Sequence, residues 1–261
     1  MYLDPMIIVA GFVVGTIVGV TGVGGGSLMT PFLIFYGISP VLAVGTDLLF
    51  AAITKITGVF SYHRRQWIKW RIVGYLLVGS LPGSILSLWY LHHLDSLGQD
   101  FDVLVTRTLS ISLVLTAVVL FSKNQFFRSR RDTSSHFAYA WLDRFQKPLT
   151  VLAGFIMGVL VSISSIGAGA LGAAILVLLY PRIRLVKIIG TDLAHAVPLT
   201  AFSGLGHVQM GNVDFGLLGA LLIGSIPGII LGARLAAHLS ENFVRNALAT
   251  MLLFLGANFF L

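Results

Sequence analysis

From residue 6 to residue 261 the chain is a succession of continuously apolar runs parted by brief charged stretches. Only 10% of its residues are charged and 56% are hydrophobic, whereas a soluble domain carries about 25% charged residues. Such a chain cannot cover itself with polar surface, so its solvent is lipid. In lipid every backbone N–H and C=O must be paired within the protein, which leaves only helices and closed barrels. The runs lack the polar–apolar alternation of barrel strands. The fold class expected is an all-α, multi-pass integral membrane protein. The opening MYLDPM lacks the basic region of a secretory signal. With no cysteine, disulfides, thiolate metal sites and thiol catalysis are excluded.

The chain is written twice. GTDL occurs at 45–48 and again at 190–193, and GSLPG at 79–83 is answered by GSIPG at 224–228. Thr46 stands as far from Pro82 as Thr191 does from Pro227. Gly11, Phe12, Gly15, Gly24 and Gly26 match Gly154, Phe155, Gly158, Gly167 and Gly169 at a second constant offset. Matched spacing in separate blocks marks an internal duplication. The first transmembrane repeat covers 1–122 and the second covers 148–261. Each has a glycine-broken apolar segment (6–36 and 148–180). Three helix-length runs follow: 41–62, 72–91 and 103–122, then 188–207, 215–236 and 244–261. A basic linker, 123–147, joins the repeats. Its FAYAWLDRF stretch reads either as a surface-lying helix or as a solvated connector.

Lys and Arg gather in 63–71, the linker, 181–187 and around 234–245, whereas 92–102, 208–214 and the N-terminus hold Asp alone. The formal charge of +7 therefore reports orientation, not nucleic-acid binding. The positive-inside rule puts the first set, linker included, in the cytoplasm and both termini on the outer face. Corresponding loops then fall on opposite faces, so the two repeats are expected to be inverted. That requires each broken segment to leave by the face it entered. As one helix, 6–36 would span ~46 Å, against a hydrocarbon core of ~30 Å. As two full crossings each arm would reach only ~23 Å. A re-entrant hairpin or a pair of half-helices fits.

The interruptions themselves are TGVGGGS at 21–27 and ISSIGAG at 163–169. Glycine costs a helix interior ~1 kcal/mol relative to Ala, and irregular backbone at membrane depth survives only beside a polar cavity or buried in protein. Bare amides at such breaks carry partial positive charge and favour an anion. The candidate substrate site is therefore Gly22, Gly24, Gly25, Gly26 and Ser27 from the first break, and Ser164, Ser165, Gly167 and Gly169 from the second. Close helix packing is the alternative role for these glycines.

Few ionisable residues fall inside the runs. Lys55 reads either as a fixed positive charge for an anion or as a counter-ion to Asp47. Asp47 and Asp192 follow the repeated Gly-Thr. Helix capping and ion or proton coupling both stay open for them. His195 shares a helix face with Asp192 and joins the candidate coupling set. Thr46 and Thr191 complete the substrate-site candidates. His63 and His207 sit near run ends and are expected at the interface. Pro82, Pro198 and Pro227 are candidates for kinks. GVGGGS lacks the Lys of a phosphate-binding loop, and neither HExxH nor GxSxG occurs. No enzyme, cofactor or metal site is expected. The partners are a small anion and the lipid bilayer, and the sequence leaves the oligomeric state open.

GVTGVGGGSLMTPFLIFYGISPVLAVGTDLL followed by GSLPG, and GTDLAHAVPLT followed by GNVDF and GSIPG, resemble the TauE/SafE sulfite exporter family across nearly the whole chain. Its motif falls on Gly22, Gly24, Gly25, Gly26, Pro31, Gly45 and Thr46. The second break departs from it, with ISSIGAGAL and with Ala174 where Pro31 would stand. The resemblance implies movement of small sulfur oxyanions or organosulfonates across the bacterial inner membrane. The expected function is a secondary transporter working by alternating access, with proton coupling through Asp47, Asp192 and His195 as one route and a passive anion channel as the alternative.

The charge asymmetry is directly testable. The variant Arg184→Cys is expected to react with a membrane-impermeant maleimide only from the cytoplasmic side, and periplasmic labelling would reverse the orientation.

Overall fold

The computed structural model describes residues 5–21, 26–96, 102–132, 136–235 and 241–259, and every element in them is helical. In chain order these are α1 (Pro5–Thr21), α2 (Gly26–Phe35), α3 (Pro40–Arg64), α4 (Trp70–Ser96), α5 (Asp102–Asp132), α6 (His136–Ser164), α7 (Ala170–Leu179), α8 (Leu185–Gln209), α9 (Phe215–Leu235) and α10 (Glu241–Asn258). Among the described residues six stretches are long and apolar enough to cross a membrane: Pro40–Arg64, Trp70–Leu94, Asp102–Phe121, Phe145–Ser164, Leu185–Gln209 and Phe215–Gly232. Outward the protein presents Val78, Ile85, Leu152, Ile223 and Phe254, all exposed, as suits lipid and not water. Inward, Phe50, Leu109, Leu113, Val161 and Leu199 belong to one buried cluster.

The expected linker 123–147 does not stand apart. α5 runs on to Asp132 and α6 starts at His136, so most of the basic segment prolongs two helices. Pro82, Pro198 and Pro227 lie inside α4, α8 and α9, which continue through them.

The duplicated glycines are packing surfaces. Gly11 and Gly15 of α1 press on the backbone of Leu221 and Ser225 in α9, and Gly224 and Gly228 of α9 press back on Ile8 and Phe12. The equivalent contacts recur between α6 and α4: Gly154 and Gly158 meet Leu76 and Ser80, and Gly79 and Gly83 meet Val151 and Phe155. Small residues four apart let helix backbones touch, and in lipid that contact replaces the missing hydrophobic drive. Each repeat thus contributes one helix to each tight pair, and α1 runs parallel to α9 as α6 does to α4.

The same register shows how the third helix of each repeat lies. Gly45 meets His207, Gly58 meets Leu193, Leu49 meets Gly204 and Tyr62 meets Gly190. Rising numbers on α3 meet falling numbers on α8, so these equivalent helices run in opposite directions. Their ends also match. Gln66 after α3 and Gly211 after α8 both have positive φ, 56° and 76°. Trp67 N–H donates to the Tyr62 carbonyl at 3.0 Å and Asn212 N–H to that of His207 at 2.9 Å. These are helix-terminating turns of one type.

The second broken segment is a hairpin with unequal arms. The Gln146 amide donates to the Leu179 carbonyl at 3.0 Å, and the Thr150 and Tyr180 hydroxyls lie 2.8 Å apart. The Gln146–Thr150 stretch of α6 therefore stands beside the end of α7. From Gln146 to Ser164 a helix rises about 27 Å, but α7 returns only about 14 Å. The residues 165–169, which are non-helical, join the two arms. The hairpin has one long arm and one short one.

Substitution tests the tight pairs. Gly158→Ala and Gly15→Ala should each destabilise the detergent-solubilised protein by about 1–3 kcal/mol. Gly74→Ala, where a methyl group would meet nothing within 4 Å, should be tolerated. Thermal unfolding midpoints measure both.

Candidate functional site

The repeated GTD triplets divide their work. A methyl group on Gly45 would run into the carbonyl of Asn212, and one on Gly190 would stand 3.1 Å from the carbonyl of Trp67. In both places the missing side chain admits a loop of the opposite repeat. The threonines then fasten that loop. The Asp214 N–H donates to Thr46 Oγ1 at 3.1 Å, and the Lys69 N–H donates to Thr191 Oγ1 at 3.0 Å. Thr46 and Thr191 thus hold the α8–α9 and α3–α4 loops against the helix of the other repeat. Asp214 also caps α9, accepting from Gly216 and Leu217 N–H at 2.8 and 2.9 Å.

The aspartates point the other way, into the protein. Asp47 is 0% and Asp192 3% exposed. Asp47 Oδ2 accepts the Thr30 hydroxyl of α2, and Ser165, the first residue of the second break, faces the same carboxylate. Asp192 lies against the backbone of Gly172 in α7. Each aspartate therefore meets the short helix that follows a break. Neither caps a helix end, because each sits inside a long helix (α3 and α8). Asp47 Oδ1 and Asp192 Oδ1 have no hydrogen-bond partner among the described residues.

Lys55 joins these parts. It is 6% exposed, and its ammonium donates to the Ala168 carbonyl inside the second break at 3.0 Å. Its charge acts on Asp192 and on Asp47. The break it touches is irregular: Ser165, Gly167 and Gly169 have φ of 58°, 130° and 144°. Ile166 N–H turns back to Ser164 Oγ at 3.3 Å, and Ser164 in turn reaches Ser112 of α5 at 3.2 Å. Of the first break, Gly22, Gly24 and Gly25 lie outside the described residues. Gly26 and Ser27 open α2.

The sequence singles out His195 but not the polar residues around it. His195 Nε2 lies 2.9 Å from Ser80 Oγ of α4. The hydroxyls of Ser84, Ser162 and Ser203 close a triangle of 2.7–2.9 Å between α4, α6 and α8. His207, expected at the interface, is instead 0% exposed, with Nε2 2.9 Å from the Ser162 carbonyl. His207 is packed between α6, through that carbonyl, and Gly45 of α3. The other repeat places Phe50, Tyr62 and Gly58 at the positions of His195, His207 and Ser203, so this polar seam, built from α4 of one repeat and α6 and α8 of the other, has no symmetric counterpart. Among the described residues no group of three or more His, Cys, Asp or Glu is placed to hold a metal ion.

Six membrane-length helices around a buried Lys–Asp centre, reached by an interrupted helix, define a polytopic membrane protein of the transporter kind. The chain belongs to the sulfite exporter TauE/SafE family, whose sequence profile it matches over residues 7–259. It is 36% identical over 254 residues to the probable membrane transporter protein YjnA of Bacillus subtilis, covering 97% of this chain and 98% of that one. It is 26% identical to the probable membrane transporter protein YdhB of the same organism, covering 93% and 94%. It is 28% identical to the probable membrane transporter protein MJ0441 of Methanocaldococcus jannaschii, covering 97% and 93%. No solved structure matches the chain.

The seam gives a paired test. Ser80→Ala leaves a buried imidazole nitrogen without its partner and should cost about 1–3 kcal/mol. Ser225, its equivalent in the other repeat, has no partner for its hydroxyl among the described residues, so Ser225→Ala should be neutral or slightly stabilising. Unfolding of the two variants side by side measures the difference.

Proposed function

We propose that this protein is a secondary transporter that carries a small anion of the sulfite or organosulfonate class across the bacterial inner membrane by alternating access. The observation that carries the reading is the Lys55 ammonium, buried in a membrane-spanning helix and bonded to the carbonyl of Ala168 within an interrupted helix. A buried cation in a membrane is costly, and an anion is the ligand that offsets that cost. Backbone amides at Gly22, Gly24, Gly25, Gly26 and Ser27, and at Gly167 and Gly169, supply the remaining donors, with Ser164 and Ser165 beside them; the Ser165 N–H itself is given to the Val161 carbonyl at 2.8 Å. Asp47, Asp192 and His195 couple the cycle to protons. Thr46 and Thr191 act at the same site by fixing the loops that border it.

The two halves are inverted repeats in this reading. The opposite directions of α3 and α8 and the crossed pairs α1–α9 and α4–α6 support it, as does the segregation of Lys and Arg. Both termini then face the periplasm and the basic segment between α5 and α6 faces the cytoplasm.

Proteoliposomes test the reading. Labelled sulfite, sulfoacetate, thiosulfate and taurine should include at least one solute that enters saturably and shows counterflow. Lys55→Met should cost about 2–5 kcal/mol of anion binding, a loss of about thirtyfold or more. Ohmic single-channel current in place of counterflow would reassign the protein as an anion channel.

A further inference from the structure

Two basic stretches, one from each repeat, meet at the end of the protein where α4 and α8 begin. Residues 63–71 read HRRQWIKWR and residues 181–187 read PRIRLVK, with no acidic residue in either. Thr191 of α8 joins them: its hydroxyl accepts the Lys69 N–H at 3.0 Å and donates to the Lys187 carbonyl at 2.6 Å. Arg64, Arg65, Lys69, Arg71 and Arg184 are exposed. Two of the guanidiniums are held against rings. Arg64 lies 4.3 Å from the centre of the Phe60 ring and Arg65 5.0 Å from that of Trp67. Trp67 is in turn met edge-on by Tyr62 at 5.8 Å, and Trp70 by His63 at 5.7 Å. Along α3 away from Arg64 the same face is apolar. Phe60, Ile56 and Ile53 recur there at helical spacing and are 56%, 54% and 42% exposed.

The turn itself does not need these cations. After α8 the equivalent turn carries Gln209, Met210 and Asp214 at the positions of Arg64, Arg65 and Lys69, and it closes with the same backbone bond. Orientation in the membrane asks only for Lys and Arg somewhere in the loop. It does not ask for a guanidinium laid on a ring at the head of an exposed apolar stripe. Nor does it ask for cations of both repeats to be gathered where they repel one another. An anion offsets that repulsion, and the stripe fits one with an apolar tail. We propose that this face binds an anionic phospholipid, its phosphodiester held by Arg64 and an acyl chain lying along Phe60, Ile56 and Ile53. A guanidinium fork matches phosphate oxygens, and the cation–π contact holds that fork at the head of the stripe. Arg65, Lys69 and the basic start of α8 add to the local positive field. A free phosphate or other small oxyanion would engage the same cations and leave the stripe bare. The site is independent of which solute the protein carries.

The test uses the full-length protein, delipidated in detergent. Phosphatidylglycerol, phosphatidylcholine with the same acyl chains, and inorganic phosphate are added separately. Native mass spectrometry counts bound lipid, and thermal unfolding reads its effect. The expected result is phosphatidylglycerol retained about tenfold or more tighter than phosphatidylcholine, with an unfolding midpoint that the lipid raises and inorganic phosphate does not. Arg64→Gln, which copies the residue of the equivalent turn, should weaken retention about fivefold or more. Phe60→Ala, which alters no charge, should weaken it about threefold or more. Arg234→Gln and Lys147→Gln, at exposed positions elsewhere, should leave it unchanged. Equal retention of the two lipids would overturn the proposal. So would Arg64→Gln or Phe60→Ala without effect, or an equal loss from Arg234→Gln or Lys147→Gln. A midpoint raised as far by inorganic phosphate as by phosphatidylglycerol would give the face to a small free anion and remove the lipid from it.

Discussion

Backbone touches backbone at two places, α1 on α9 and α4 on α6, and the rest of the protein is arranged around those contacts. Apolar side chains gain little by meeting each other when the surroundings are hydrocarbon. Close approach through Gly11, Gly15, Gly154 and Gly158, answered by Gly224, Gly228, Gly79 and Gly83, restores a reason to associate. Because the partners come from different repeats, the contacts also draw α3 and α8 together. The aspartates of both GTD triplets are carried into the same interior by that step.

The architecture was legible because repetition and spacing survive without coordinates. GTDL and GS-x-PG recur at matched separation, and the break at Ser165–Gly169 falls where glycine and serine had loosened ISSIGAG. What each residue of a motif does was not legible. Within GTD, the glycine and threonine serve a loop of the other repeat while the aspartate serves the centre. That division depends on distant neighbours: Thr46 meets Asp214, 168 residues on, and Thr191 meets Lys69, 122 residues back. No local pattern encodes either partner. The Ser84–Ser162–Ser203 triangle was equally hidden, since an isolated serine in a membrane helix is common and its meaning lies in which other serines it meets. His207 misled for a related reason. Position near a helix end suggests an interface, but α6 and α3 close over it there.

The two repeats have diverged around a shared frame. Lys55 corresponds to Thr200, and the buried His195 and Ser203 correspond to Phe50 and Gly58. Packing at the frame tolerates these differences, because the helix pairs are held by glycines elsewhere. The centre thus has one cation rather than two among the described residues, and a polar seam on one side rather than both. A symmetric scaffold can in this way bind an asymmetric solute and treat the two faces of the membrane differently.

The crossed pairing has a consequence for ancestry. Neither repeat buries the glycine face of its own first helix: Gly11 and Gly15 find their partner only in α9. A half-length forerunner living alone would have presented a backbone-deep furrow to lipid. Paired with a second copy, the same furrow would have been filled, as α9 fills it here.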